Sequence, residues 1–289
     1  MAEFSYDKLM NWPFEEIAHT YGERDTILYA LSIGIGYDPL DEKQLNYVFE
    51  EADFTSAPTM AVVLASPGFW ARHPETGIEW EKILHGEQEI VLHPPLPTAA
   101  TVKATTKISE ILDKGEGKNA LIYTTRTLVD DATGDELATL RSTLIARGHG
   151  GFGGKDGPQP QPHPTPQREP DKICDLPTAP NSALIYRLDG DTNPLHVSPK
   201  VAAEAGFKAP ILHGLCSFGI AGHALLRTYC DYDATRLKSL KLRFASPVYP
   251  GETIRTEMWQ DGNVISLRSK VIERDQIVLS NGRAEISGL

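Results

Sequence analysis

Three short segments recur along this chain in the same order and at nearly the same displacement. Leu184-Ile185-Tyr186-Arg187-Leu188 parallels Ile27-Leu28-Tyr29-Ala30-Leu31, Ala209-Pro210 parallels Ala57-Pro58, and Pro247-Val248-Tyr249-Pro250 parallels Pro94-Pro95-Leu96-Pro97, at offsets of 157, 152 and 153 residues. A displacement held that constant marks a duplicated unit, so a fold assigned to one half has to serve the other. Between the copies, residues 158–180 carry eight prolines. Proline excludes helix and central strand, and this stretch therefore reads as an extended, semi-rigid spacer. The domains expected are 1–150, a linker at 151–180, and 181–289.

Each copy ends in strand-like sequence. Residues 86–92, 99–112, 118–130 and 136–147 alternate apolar and polar side chains, and 238–247, 252–260, 263–273 and 276–286 do the same. The breaks between them, among them Gly115, Gly117, Pro250-Gly251 and Asp261-Gly262, are turn formers, which makes the runs consecutive hairpins of an antiparallel sheet. Leu215 to Tyr229 is apolar on most of its circumference and belongs in a core as a helix. Ser198-Pro199 starts a short helix that Gly206 stops. A buried helix followed by an antiparallel meander is an α+β layout, with the sheet curled round the helix.

The halves differ where chemistry is expected. The second has Gly190-Asp191-Thr192-Asn193-Pro194-Leu195-His196, and the first has Ile33-Gly34-Ile35-Gly36-Tyr37-Asp38-Pro39, without the Asp and His in equivalent places. Glycine, Asp, Asn and proline each favour a tight turn for a separate reason, and a carboxylate and an imidazole five positions apart on that turn can converge on one water. Gly214, at the start of the apolar helix, has an N–H with no intrahelical partner and lets an acceptor approach closely, which suits an oxyanion site. A surface turn followed by a structural histidine is the plain alternative.

The run LDGDTNPLHVSP with APILHGLCSFG resembles the signature of the MaoC-like, or hydratase 2, group of hot-dog-fold enoyl-CoA hydratases. The first half, through LHGEQEIVLHPPLP, ILDKGEGKNALIYTTRTLVD and RGHGGFGG, resembles the non-catalytic half of the two-domain hydratases. The resemblance implies a double hot-dog, two repeats each of an antiparallel sheet wrapped around a helix. It implies reversible syn addition of water to a trans-2-enoyl-CoA, giving the (3R)-hydroxyacyl thioester. Asp191 and His196 would be the acid-base pair, Asn193 would orient the water or the pair, and Gly214 would supply the oxyanion N–H. Substrate contacts would come from His85, Gly86 and Lys114 in the first half and Phe244 in the second. Read without the family, Lys114 is a solvated turn residue and Phe244 is core. No metal and no cofactor beyond the coenzyme A of the substrate is implied. Which of Asp191 and His196 handles which proton stays open. So do two rival readings, a hot-dog acyl-CoA thioesterase and a non-catalytic acyl-CoA-binding subunit.

Composition narrows the partners. With 28 Lys plus Arg against 39 Asp plus Glu the formal charge is −11, which argues against nucleic acid or an anionic membrane. Three cysteines, Cys174, Cys216 and Cys230, form no CxxC pair, so neither a disulfide framework nor a zinc site is expected. No secretory leader and no run of about 18 apolar residues is seen, so the protein is expected in the cytoplasm. Ser287-Gly288-Leu289 is only a weak peroxisomal address, differing from Ser-Lys-Leu at its middle residue. The first half's apolar stretch Met60 to Trp70 sits where the second has its helix, and Pro67-Gly68 cuts it short, an arrangement expected to leave room for a bulky acyl tail. Pairing of two chains is the expected assembly.

Overall fold

A computed structural model describes residues 3–289. Among the described residues are ten strands: β1 (Ile17–Tyr21), β2 (Ile83–Leu92), β3 (Ala100–Asp113), β4 (Ala120–Asp130), β5 (Glu136–Ala146), β6 (Lys172–Pro177), β7 (Leu237–Phe244), β8 (Thr253–Asp261), β9 (Val264–Val271) and β10 (Gln276–Ile286). They form one sheet in the order β1-β3-β4-β5-β2-β7-β10-β9-β8-β6, with every neighbour antiparallel. The order is its own mirror about the β2–β7 seam, each strand of the first half facing its repeat partner, so the duplication read from sequence is a structural one. The eight long strands fall where alternation predicts them. Short edge strands β1 and β6 were not anticipated. They carry few residues for a period-two pattern, and β6 lies inside the stretch 151–180 expected to be spacer.

The start of that stretch is also folded. Asp113, at the end of β3, accepts hydrogen bonds from the backbone N–H groups of Gly115, Gly151, Gly153 and Gly154 at 2.7–3.2 Å. The glycine run is therefore a wrap around one buried carboxylate. At Gly150 an added Cβ would stand 2.3 Å from the Gly115 carbonyl oxygen, so a side chain has no space there.

Six α-helices complete the fold: α1 (Tyr6–Met10), α2 (Glu23–Ser32), α3 (Glu42–Leu45), α4 (Ser182–Tyr186), α5 (Pro199–Glu204) and α6 (Gly214–Leu225). In α6 every residue from Cys216 to Leu225 is buried, which follows from the sheet curving round an apolar cylinder. It runs into a π turn, Leu226–Cys230, and stops where Asp231 adopts φ 54°. One continuous core spans both halves, with Tyr29, Ile33, Met60 and Ile90 packed together with Phe218, Leu225, Leu240 and Met258.

Among the described residues the first half has no counterpart of α6. Pro58–Val62 makes a single 3₁₀ turn, and the chain has already left it by Ala65, at φ 45°, before Pro67 is reached. Buried Arg126 on β4 donates to the carbonyls of Ala61 and Val62, which a continuing helix would have satisfied itself. The expectation of a helix in each repeat is thus corrected. A second cluster packs Leu9, Ala71 and Ile78, with the partly buried Trp12, Phe14 and Trp70, against Ile108 and Ile111 of β3 and Ile122 of β4.

Glycines let α6 sit against the first half. A Cβ at Gly219 would lie 2.5 Å from Ile33 Cγ2 and 2.9 Å from the Tyr29 hydroxyl, and one at Gly222 would lie 2.5 Å from Thr59 Cγ2. On an exposed helix, alanine would be the better residue by about 1 kcal/mol. Here overpacking outweighs that preference. Gly219→Ala and Gly222→Ala are each expected to lower stability by about 1–3 kcal/mol, read as a reduced denaturation midpoint at unchanged slope.

Candidate active site

The turn preceding α5 is assembled from its own side chains. Asp191 Oδ1 accepts from Asn193 N at 3.1 Å, and Asn193 Oδ1 accepts from Leu195 N at 3.1 Å, capping the 3₁₀ turn Pro194–His196. Asn193 thus holds the bend that carries the pair, its oxygen being committed to the backbone. Pro194 stands at the first position of that turn, where a missing N–H costs nothing.

His196 is 8 % exposed, and its Nδ1 lies 2.9 Å from the carbonyl oxygen of Ile211. A carbonyl only accepts, so Nδ1 carries the proton and Nε2 of the neutral ring keeps its lone pair. Burial lowers the imidazole below its ordinary value, opposed by that hydrogen bond and by the Asp191 carboxylate. His213, the N-cap of α6, is fully buried and stacks on His196 with ring centroids 3.8 Å apart and planes at 28°. Its Nε2 lies 3.2 Å from the backbone oxygen of Asp191. A carboxylate oxygen of Asp191 and one nitrogen of each ring all fall within 4.8 Å of one another, a span that one water can bridge. The same three residues could be counted as metal ligands. Stacked rings, however, hold their in-plane lone pairs side by side rather than convergent, and two of the four nitrogens are committed to carbonyls.

The head of α6 closes the site. Gly214, its first residue, is exposed although the helix behind it is buried, and a Cβ there would touch the Phe244 ring at 3.3 Å. Phe244 lies 4.7 Å from the His85 ring, centroid to centroid. His85 is turned inward by a β-bulge between it and Glu87, at Gly86, whose own Cβ would meet Ile145 at 3.0 Å. Asp191, Asn193, His196, Gly214, His85, Gly86 and Phe244 therefore come together across the β2–β7 seam.

Lys114 does not join them. It follows β3, three strands from β2 along the paired row Asp113, Ala120, Ala146 and Ile83, and its ammonium is bound to Asp156 at 2.8 Å. Lys241 and Arg243 on β7 both bind Glu87 on the outer face and pin the seam there. His213 is the member that sequence reasoning passed over. Its one signal was the His-Gly pair at the helix start, read there for its glycine.

Burial holds several imidazoles neutral. His85, His213 and His223 are each lowered to about 4, in every case chiefly by loss of solvation. Their folded values lie below that of an unfolded histidine, roughly 6.5, so the unfolded chain binds protons more tightly. Stability is thus complete above about pH 6.5 and is lost as pH falls toward 4, with more than one proton taken up on unfolding. Thermal unfolding scanned across that window is expected to show a steep fall in Tm.

An antiparallel sheet curled round one buried helix, with its polar residues gathered where the helix starts, defines the hot-dog class. Comparisons with known proteins take this further. Residues 161–281 match the MaoC like domain and residues 19–148 match the MFE-2 hydratase 2 N-terminal domain. The chain is 40% identical over 94% of its length to 3-hydroxyacyl-thioester dehydratase Y of Mycobacterium tuberculosis, covering 94% of that protein. It is also 40% identical to the peroxisomal multifunctional enzyme type 2 of mouse over 92% of its length, spanning 36% of that longer protein. Among solved structures, a MaoC-like dehydratase from Phytophthora capsici superposes with a TM-score of 0.86 at 35% identity, 98% of each chain being covered. The chain belongs to the MaoC-like hydratase 2 family. Among the described residues no helix is long and apolar enough to cross a membrane.

Proposed function

We propose that this protein is an (R)-specific 2-enoyl-CoA hydratase, a hydro-lyase acting reversibly on trans-2-enoyl and (3R)-hydroxyacyl thioesters. The observation that carries the reading is the meeting of Asp191, His196 and the head of α6 within one small space. Its architecture is read as a double hot-dog in which 1–150 is the non-catalytic, substrate-binding half, a spacer follows, and 181–289 carries the chemistry. The mirrored strand order and the one-sided placement of the Asp-His turn support that division.

In the reaction, a water lies between the Asp191 carboxylate and His196 Nε2. The thioester carbonyl points at Gly214 N–H. Nε2 takes a proton as the water oxygen bonds to C3, and the electron pair of the C2–C3 double bond moves onto the thioester oxygen as an enolate. The Gly214 N–H and the positive end of α6 are already aimed at that charge, so no solvent has to reorganise. The pair then returns a proton to C2 on the same face, which restores its starting state and makes the addition syn. The chain's own residues and the coenzyme A thioester are all that these steps draw on. Phe244 and His85 flank the thioester end.

The test is loss of enoyl-thioester absorbance on adding the protein to a trans-2-enoyl-CoA, with chiral analysis of the product. Release of free thiol with no hydroxyacyl product would point instead to a thioesterase, and binding with no turnover to an acyl-CoA-binding subunit.

A further inference from the structure

His213 is a fully buried ionisable group beside the catalytic turn. Its Nε2 faces a carbonyl oxygen, that of Asp191, and so carries the proton. Its Nδ1 is then a lone-pair acceptor, and it is buried without a hydrogen-bond partner among the described residues. The Tyr186 hydroxyl is likewise buried without a partner, and the hydroxyls of Tyr29 and Thr59 are buried next to each other. These groups are not scattered. Ring centroids step from His196 to His213 at 3.8 Å, to Tyr186 at 5.0 Å and to Tyr29 at 6.2 Å, and Thr59 meets α6 one turn beyond Tyr29, at Gly222. Tyr29 and Tyr186 are the repeat-related tyrosines, so the column crosses from one half to the other. A buried polar atom left unpaired costs roughly 1–3 kcal/mol, so the gathering of these groups in one column bears on how His213 is held.

We propose that His213 is a positioning residue for the Asp191–His196 pair, kept as the neutral Nε2–H tautomer by the Asp191 carbonyl on one side and a buried column of hydroxyls drawn from both repeats on the other. Its Nε2–H ties down the backbone of Asp191, and its ring backs the face of His196. The role deepens the hydratase reading and rests on it for its kinetic consequence alone. Charged and titratable groups face His213 from three sides: Asp191 and Arg187 from the turn and the segment before it, His196 from the stack, and Tyr186 from α4. Asp189, on the same segment as Arg187, acts on Tyr186 and Tyr29.

Two measurements on the full chain test this. In ¹⁵N-histidine NMR, His213 is expected as the Nε2–H tautomer and uncharged at pH 7. Tyr186→Phe combined with Tyr29→Phe keeps both rings, yet is expected to move the His213 titration by about half a pH unit or more. In kinetics, His213→Ala is expected to lower kcat about 10²-fold with KM changed less than about threefold, because only geometry is lost. His213→Gln, which offers an amide N–H near the position of Nε2, should recover at least about tenfold of that loss. The proposal is overturned by an Nδ1–H or charged His213 at pH 7, by an unmoved titration in the double Phe variant, or by a glutamine variant no better than alanine. A wild-type protein without hydration activity would refute the proposed function and leave the NMR arm to decide the position of His213.

Discussion

Asp191→Asn and His196→Ala are each expected to lower kcat for enoyl-CoA hydration by about 10²- to 10⁴-fold, with the larger loss at His196. Asparagine matches aspartate in size and retains an oxygen for the Asn193 N–H, so the turn survives while the charge facing the water goes. Alanine at 196 removes the nitrogen that receives the proton and also the Nδ1–H bond to Ile211. Effects of residues acting on one water are not additive, and the double variant should fall little below the worse single. Steady-state kinetics beside far-UV circular dichroism and denaturation midpoints separate this from misfolding. Substantial activity in both folded variants would sink the mechanism.

At Gly214 the backbone N–H itself can be deleted. Proline is tolerated at the first position of a helix, and the preceding residue, His213 at φ −59° and ψ 136°, already has the extended conformation that proline demands of it. Gly214→Pro is therefore expected to leave α6 intact and to reduce kcat by about 10²- to 10³-fold, the range for loss of one oxyanion donor. Gly214→Ala retains the N–H and adds only a methyl 3.3 Å from the Phe244 ring, which can shift slightly. It should act mainly through KM. Equal kcat in the two variants would remove Gly214 from the chemistry. The pH–rate profile gives an independent reading: burial lowers His196, so its neutral form persists into acid, and the acid limb of kcat/KM should lie below the usual imidazole range.

The core of this fold was legible because alternation and apolar runs are local signals. Eight long strands and the buried helix were written in periods of two and in an uninterrupted apolar stretch, and proline and glycine marked their ends. The five-residue edge strand β1 and the six-residue β6 were not, since such short strands owe their state to a neighbour's hydrogen bonds. The missing helix of the first half was half legible. Pro67-Gly68 announced an early stop, but the stop came sooner, because Arg126 from a strand more than sixty residues later caps Ala61 and Val62.

Sequence alone determined the duplication, the antiparallel class and the confinement of the Asp191–His196 turn to the second copy, because each follows from order, spacing and residue type along the chain. Tertiary structure decided which side chains share one space. It set His213 under His196, drew Lys241 and Arg243 to Glu87 on the outer face, and tied Lys114 to Asp156, three strands from His85. Which partner a charge or a ring meets depends on strand register and on the face it occupies, and those exist only once distant segments have paired.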